Sequence, residues 1–240
     1  MSHDDFPMSD FITRSYTATG RALTREEKMS LEAKLRKRVE QLLSSPDEHG
    51  VAGPRLLVEA RRLWAHVQKW TDQHLVTPSN PAAMEIGCHA MYLPMKRMSA
   101  VTVGKFGQLS LRERAEQAAE ELVSEMADHM DEASLDAAVQ LLNELPQRKP
   151  ASDDARLLAD VINVEDFGVN GVIAQAIILA AKGQGLDQLV EAADKRDAYG
   201  YFEARLKDGF HFGPLRELAR RRVARARQMV ELLKQESLEI

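Results

Sequence analysis

The sequence is poor in aromatic residues, has one cysteine and has no long apolar run. Its 240 residues include two Trp, four Tyr and seven Phe. The single Cys88 excludes an intrachain disulfide and is compatible with a reducing compartment. No run of about 18 apolar residues occurs, so we expect no transmembrane helix. The first residues also lack the basic and apolar segments of a signal peptide, and we expect a cytoplasmic protein.

Strand-like alternation, internal repeats and excess positive charge are missing as well. The formal net charge is -5, which gives no general attraction to nucleic acid, so we expect neither a nucleic-acid nor a membrane partner. Hydrophobic residues make up 44% of the chain, enough for a substantial core. Abundant Ala, Leu, Glu and Arg favour helices. We predict an all-α, irregular single-domain helical bundle over residues 23–240, after a flexible N-terminal arm over residues 1–22.

Apolar residues recur at helical spacing throughout the predicted domain, and capping residues mark several helix starts. The pattern predicts eight to ten helices with no common heptad. The predicted helices run from Thr24 to about Ser45, Pro54 to His74, 82 to 93, Ser110 to about His129, Ser134 to Leu145, from Ser152 onward, through GVIAQAIILAAKGQG (171–185), near Tyr199 to Leu206, and from Pro214 to about Glu236.

The helix that begins after Ser152 carries an acidic residue among apolar ones. Leu157, Leu158 and Val161 recur at helical spacing, and Asp160 lies on the same helix. A buried carboxylate needs a metal, a cation or several hydrogen-bond donors. Two interpretations follow from the residues alone: Asp160 caps a neighbouring element or pairs with an arginine, or it belongs to a functional site.

Other polar residues are weaker candidates for a site. The run His3-Asp4-Asp5 resembles a ligand cluster, but a chain terminus rarely holds ligands rigidly, so we expect no metal there. His66 and His74 lie eight residues apart instead of the four that suit direct chelation, and we expect core-edge or solvent-facing histidines. The last helix is rich in arginine at positions 216, 220, 221, 222, 225 and 227.

These arginines spread around the last helix instead of forming one stripe. An anion- or nucleic-acid-binding surface is one interpretation of such a helix. Acidic residues lie beside the arginines, at Glu217, Glu231 and Glu236. A solvated face with intrachain ion pairs is therefore the favoured interpretation.

Two segments in the second half of the chain carry family-like motifs. They are ARLLADVINVEDFGVNGV (155–172) and YFEARLKDGFHFGPLRELARRR (201–222). Both resemble segments of the HD-domain metal-dependent phosphohydrolases, especially the small single-domain bacterial members. The first is similar to the family's Ala-x-x-x-x-Asp-Ala-Asp-x-x-Asp-x-x-Gly motif, with Asp160 on the last metal-ligand Asp and Gly168 on the glycine. The second approximately matches a Phe-x-x-Lys-Leu element and a Leu-Ala-x-x-Arg helix through Phe202, Arg205, Leu206, Leu218, Ala219 and Arg222.

The resemblance covers roughly residues 45–236 and implies an HD-domain-like fold with a metal site formed by a His, a His-Asp doublet and a distant Asp. His89 matches the doublet's His, but Ala90 stands where its Asp should be. Small or cyclic residues occupy the position of the first His, at 52 to 54. The implied metal ligands are therefore His89 and Asp160, with His49 and Glu144 as substitutes. A direct bond between His89 and Asp160 is the alternative that needs no metal.

This incomplete ligand set points to a non-catalytic HD-domain-like protein with a degenerate metal site, which binds a ligand or a partner in the old pocket. No catalytic residue is assigned, and no cofactor is expected. The alternative is an active metal-dependent phosphohydrolase, which acts on a nucleotide or another phosphate ester with rearranged ligands. That alternative requires a divalent metal such as Mn, Fe, Co, Ni or Zn. A small phosphorylated ligand suits both interpretations, and the sequence leaves the oligomeric state open.

Overall fold

A computed structural model describes residues 25–45, 55–97, 111–126, 132–147 and 149–238. Within these ranges the chain forms ten α-helices, a 3-10 turn at Pro94–Arg97 and no strand, which confirms the all-α fold class. The helices are α1 Arg25–Ser44, α2 Arg55–Asp72, α3 Pro81–Ala90, α4 Leu111–Met126, α5 Glu132–Glu144, α6 Asp153–Asp166, α7 Val169–Ala181, α8 Leu186–Ala198, α9 Tyr201–Asp208 and α10 Gly213–Leu238.

Most helix bounds agree with the apolar spacing, with two corrections. The predicted cap at Ser134 is wrong because α5 begins two residues earlier, at Glu132. The residues before Ser134 are good helix formers that extend the helix. Helix α8 was not predicted, since Leu189 is its only buried residue and its apolar pattern is weak. The predicted arm over 1–22 and the caps at Thr24 and Ser110 lie outside the described residues.

Helix α6 joins the two halves of the bundle. It contacts α2, α3 and α5 on one side and α7 and α10 on the other. Ser152 is its N-cap, and the Ser152 hydroxyl accepts a hydrogen bond from the Ala155 N–H, as the sequence predicted. Nine residues of α6 are buried, more than a single apolar stripe would give. Burial on several faces fits a helix that packs between other helices.

Helix α3 packs closely against α5 and α6 at a glycine. A Cβ atom on Gly87 would lie 2.9 Å from Leu141 Cδ2 and 3.1 Å from Leu158 Cδ2. Both are shorter than ordinary van der Waals contacts, so a larger residue would force the Leu141 and Leu158 side chains to move. This close approach buries Cys88 and Ala90 completely.

The junction between α6 and α7 also depends on glycine. Gly168 has a φ of +91°, a value that residues with a side chain rarely adopt. This conformation allows the chain to bend by 69° between the two helices. Gly171 passes so close to the preceding turn that a Cβ atom would lie 2.1 Å from the Asp166 carbonyl oxygen. In the described ranges no single helix is long and apolar enough to cross a membrane, and the α6–α7 pair has such a length only across this bend.

Replacing Gly171 with Ala should lower the free energy of unfolding by about 2–3 kcal/mol, because the new methyl group collides with the Asp166 backbone. Gly213→Ala is the matched control, since a Cβ atom at that position would have nothing within 4 Å. We expect that control to change stability by less than about 0.5 kcal/mol. Urea denaturation of both variants measures the difference, and equal stabilities would contradict the close approach.

Candidate functional site

Asp160 caps the N-terminus of α10. Its carboxylate is fully buried and accepts hydrogen bonds from the His211 N–H at 2.9 and 3.0 Å and from the Phe212 N–H at 2.8 Å. The Phe212 carbonyl in turn accepts from the Arg216 N–H, which starts the helical bonding of α10. The N–H groups at a helix start have no partner within the helix. The structure therefore confirms the interpretation that Asp160 caps a neighbouring element.

Opposing effects determine the protonation of Asp160. Burial raises the pKa of its carboxyl to about 7, although the His211 and Phe212 N–H groups and the Arg216 charge act to lower it. The N–H donors favour the ionised form, because a carboxylate accepts more strongly than a neutral acid. Both oxygens already accept from the backbone immediately before α10.

His89 lies on α3, where it bonds to its own helix. Its ring Nδ1 is 2.8 Å from the Glu85 carbonyl oxygen, and only 2% of the residue is exposed. A carbonyl can only accept, so Nδ1 donates and Nε2 is left as the acceptor nitrogen of a neutral ring. Nε2 is buried without a partner among the described residues. Burial lowers the pKa of His89, which favours this neutral form.

The structure contradicts the alternative of a direct bond between His89 and Asp160. The His89 ring bonds to the Glu85 carbonyl four residues earlier, while the backbone N–H groups before α10 take the Asp160 oxygens. His89 lines a small cavity of about 10 Å³ beside Arg36 and Glu85, and Asp160 does not line it. The two side chains therefore bond to separate backbone groups, and His89 Nε2 stays without a partner among the described residues.

Glu144, a predicted substitute ligand, also caps a helix. Its Oε2 accepts from the Ser152 N–H at 2.8 Å and from the Ser152 hydroxyl at 2.7 Å, and its Oε1 accepts from Gln140. The pKa of Glu144 is lowered, and the hydrogen bond from the Ser152 hydroxyl is the largest cause. Ala90, in the position of the doublet's Asp, is fully buried. The other predicted substitute, His49, lies outside the described residues.

Within the described part of the chain, no three His, Cys, Asp or Glu side chains lie together as metal ligands would. Structural and catalytic metal sites generally use three or four protein ligands. The assignment of His89 and Asp160 as metal ligands stays a prediction from the family resemblance.

Glu165 is the centre of a polar cluster that the sequence did not single out. Its carboxylate lies 2.9 Å from Arg62 Nε on α2, 2.8 Å from His66 Nδ1 and 3.1 Å from Arg222 Nη1 on α10. Burial raises the pKa of Glu165, but these partners outweigh burial and bring the pKa to about 2. The cluster ties α2, α6 and α10 together. His66, 20% exposed and stacked on Trp70, is the predicted core-edge histidine.

Most arginines of α10 have partners within the chain, as predicted. Arg220 pairs with Glu217, Arg222 with Glu165, and Arg227 with Asp197 and Glu203. Arg216 donates to the Phe210 carbonyl at 2.8 Å. These contacts confirm the ion-paired interpretation for much of the helix, while Arg221 and Arg225 are exposed.

A larger cavity lies between α7, α8 and α10, and it measures about 160 Å³. Charged residues surround its apolar floor. Arg227 and Lys234 in its wall pair with Asp197 and Asp194. Arg196 instead donates to Gln175 at 2.6 Å and lies over the Tyr201 ring. The floor consists of Val172, Leu189, Ala193, Phe202, Ala226 and Val230.

The sequence did not predict this cavity. It forms where three helices meet, and the apolar pattern of α8 was too weak to predict that helix. The one available signal was the pair Gly168 and Gly171, both of which line the cavity and allow the turn into α7. No family model, curated protein or solved structure matches the chain. The resemblance to HD-domain proteins therefore rests on the sequence segments.

Glu165→Gln should lower the free energy of unfolding by about 2–3 kcal/mol at pH 7, because it removes the charge that three cationic or basic groups surround. A folded-state pKa of about 2 lies below the ordinary value of 4.5, so the stabilisation is present above pH 4.5 and is lost as the pH falls towards 2. The gap between wild type and variant should therefore shrink in acid.

Urea denaturation from pH 7 to pH 3 measures this gap. Glu217→Gln is the control, since its exposed pair with Arg220 should contribute less than about 0.5 kcal/mol. A wild-type-to-variant gap that stays equal at pH 7 and pH 3 would contradict the lowered pKa of Glu165.

Proposed function

We propose that this protein is a non-catalytic binding protein whose ligand occupies the cavity between α7, α8 and α10. The observation that carries the proposal is an apolar floor with a charged wall around a space of about 160 Å³. Binding sites for small molecules are usually concave and mostly apolar, with a few polar groups that fix orientation. An apolar cavity of about 150 Å³ in another protein holds a benzene ring. The ligand therefore has an apolar body of about one ring.

Four carboxylates and three cations line the cavity, and one of these cations has no carboxylate partner among its described contacts. Arg227 and Lys234 are already neutralised by carboxylates on α8. Arg196 is the remaining cation among the described residues that line the cavity, and its described side-chain contacts are with Gln175 and the Tyr201 ring instead of a carboxylate. A guanidinium binds a carboxylate or a phosphate equally well in geometric terms. We propose that a ligand carboxylate or phosphate binds at Arg196.

The same proposal accounts for the HD-like sequence motifs without catalysis. Two of the family's ligand positions serve structural purposes in this chain, since Asp160 caps α10 and Glu144 accepts hydrogen bonds from Ser152. At a third position the buried Ala90 has no group that could coordinate a metal. We propose an HD-domain-like scaffold with a degenerate metal site, in which binding has moved to the cavity beside α8.

Three small probes test the site. Benzoate and phenyl phosphate present one ring with different anions, and benzyl alcohol presents the same ring without charge. Ligand-observed NMR should give dissociation constants on the order of 1 mM for both anions, because few atoms contribute. The alcohol should bind several-fold more weakly, and Arg196→Gln should remove that preference.

Matched variants on α8 localise the binding. Ala193→Leu fills the cavity and should abolish binding of all three probes, whereas Ala198→Leu adds the same bulk to an exposed position and should leave binding unchanged. Absence of binding at about ten times the expected dissociation constant, or binding that survives Ala193→Leu, would contradict the proposal. Phosphate release from phenyl phosphate by metal-supplemented protein would support the alternative phosphohydrolase.

A further inference from the structure

The three cations in the wall of the cavity between α7, α8 and α10 bond to acceptors of different charge. Arg227 and Lys234 bond to carboxylates on α8. Arg196 instead donates to the side-chain oxygen of Gln175, from α8 across to α7, at 2.6 Å. A glutamine side chain has nearly the shape of a glutamate without its charge. The wall therefore holds two neutralised cations and one guanidinium that keeps its positive charge.

The Gln175 side chain also has a second hydrogen-bonding group. A guanidinium can only donate, so the amide oxygen of Gln175 faces Arg196 and the amide nitrogen occupies the other position. Among the described residues, the bond to Arg196 is the one hydrogen bond of this side chain. The two amide N–H groups are therefore available to a ligand in the cavity, which both residues line.

The Tyr201 ring contacts the same guanidinium. Arg196 Cζ lies 5.5 Å from the centroid of this ring. The Tyr201 hydroxyl accepts from Arg205 Nη1 at 2.7 Å, which holds the ring in place. A ring face attracts a cation without neutralising it. Two uncharged groups thus position Arg196, and neither competes with a ligand anion as a carboxylate would.

We propose that Gln175 determines the charge preference of this cavity. Its oxygen positions Arg196 without neutralising it, and its amide N–H groups donate to the same ligand anion. The carboxylate or phosphate of the ligand then accepts from α7 and α8 together, and hydrogen bonds to a charged group are the stronger kind. This role rests on the proposed function, because it concerns the same cavity, and it makes Gln175 the residue that selects anionic over neutral ligands.

Gln175→Glu tests the charge preference. The new side chain keeps the shape and the bond to Arg196, but it neutralises the guanidinium and replaces the amide donors with an acceptor. The benzoate dissociation constant should rise about tenfold, whereas that of benzyl alcohol should change less than about twofold. Gln228→Glu is the matched control, since it adds the same charge at an exposed position of α10 and should leave both constants unchanged.

The side-chain amide signals of Gln175 test the second donor in the wild-type protein. Their absence from the Gln175→Glu spectrum assigns them. Benzoate should move these proton signals to higher frequency, and by more than benzyl alcohol does, because donation to an anion deshields the proton. A purely structural glutamine would not show this difference.

The outcomes separate this role from the proposed function. If the wild type prefers benzoate but Gln175→Glu keeps that preference, or if benzoate leaves the Gln175 amide signals in place, the role of Gln175 is overturned and the binding function stands. If the wild type binds neither benzoate nor benzyl alcohol, both are overturned.

Discussion

Free backbone N–H groups at helix starts constrain this bundle, and buried carboxylates from neighbouring helices satisfy them. Asp160 accepts from His211 and Phe212 before α10, and Asp154 accepts from Ser79 and Asn80 before α3, at 2.7 and 2.8 Å. Glu144 accepts from Ser152 before α6. An unpaired N–H in such a position would cost about 1–3 kcal/mol. Acidic side chains thus fix the ends of helices that apolar packing alone would leave free to slide.

This use of carboxylates limits where a ligand can bind. The acidic side chains nearest the core already accept backbone hydrogen bonds or, as Glu165 does, bind cations from other helices. Space for a ligand remains instead between α7, α8 and α10, where apolar residues form the floor and Arg196 has no carboxylate partner among its described contacts. Val172 and Gln175, on one face of α7, line this space.

Local patterns in the sequence predicted the helical fold, whereas the hydrogen-bond partners of the polar residues could be identified only from the tertiary structure. Helical spacing predicted α6 and its Ser152 cap, and it also indicated that Asp160 is buried. The partners of Asp160 could not be predicted, because backbone N–H groups 51 and 52 residues away have no side-chain signature. Residues matched to a family motif suggested that His89 and Asp160 bond to each other. His89 instead bonds to the Glu85 carbonyl of its own helix, and Asp160 bonds to the His211 and Phe212 N–H groups. Helix α8 was missed because one buried residue gives almost no periodic signal.

Amide hydrogen exchange at His211 and Phe212 tests most directly whether Asp160 is a structural cap. If its carboxylate holds these two N–H groups, they exchange only when α10 separates from α6, so their rates in the wild type should approach those of core helical amides. In Asp160→Asn the same two amides should exchange at least about tenfold faster, while those of α1 stay unchanged. Exchange of His211 and Phe212 in the wild-type protein at the rate of free loop amides would contradict the account.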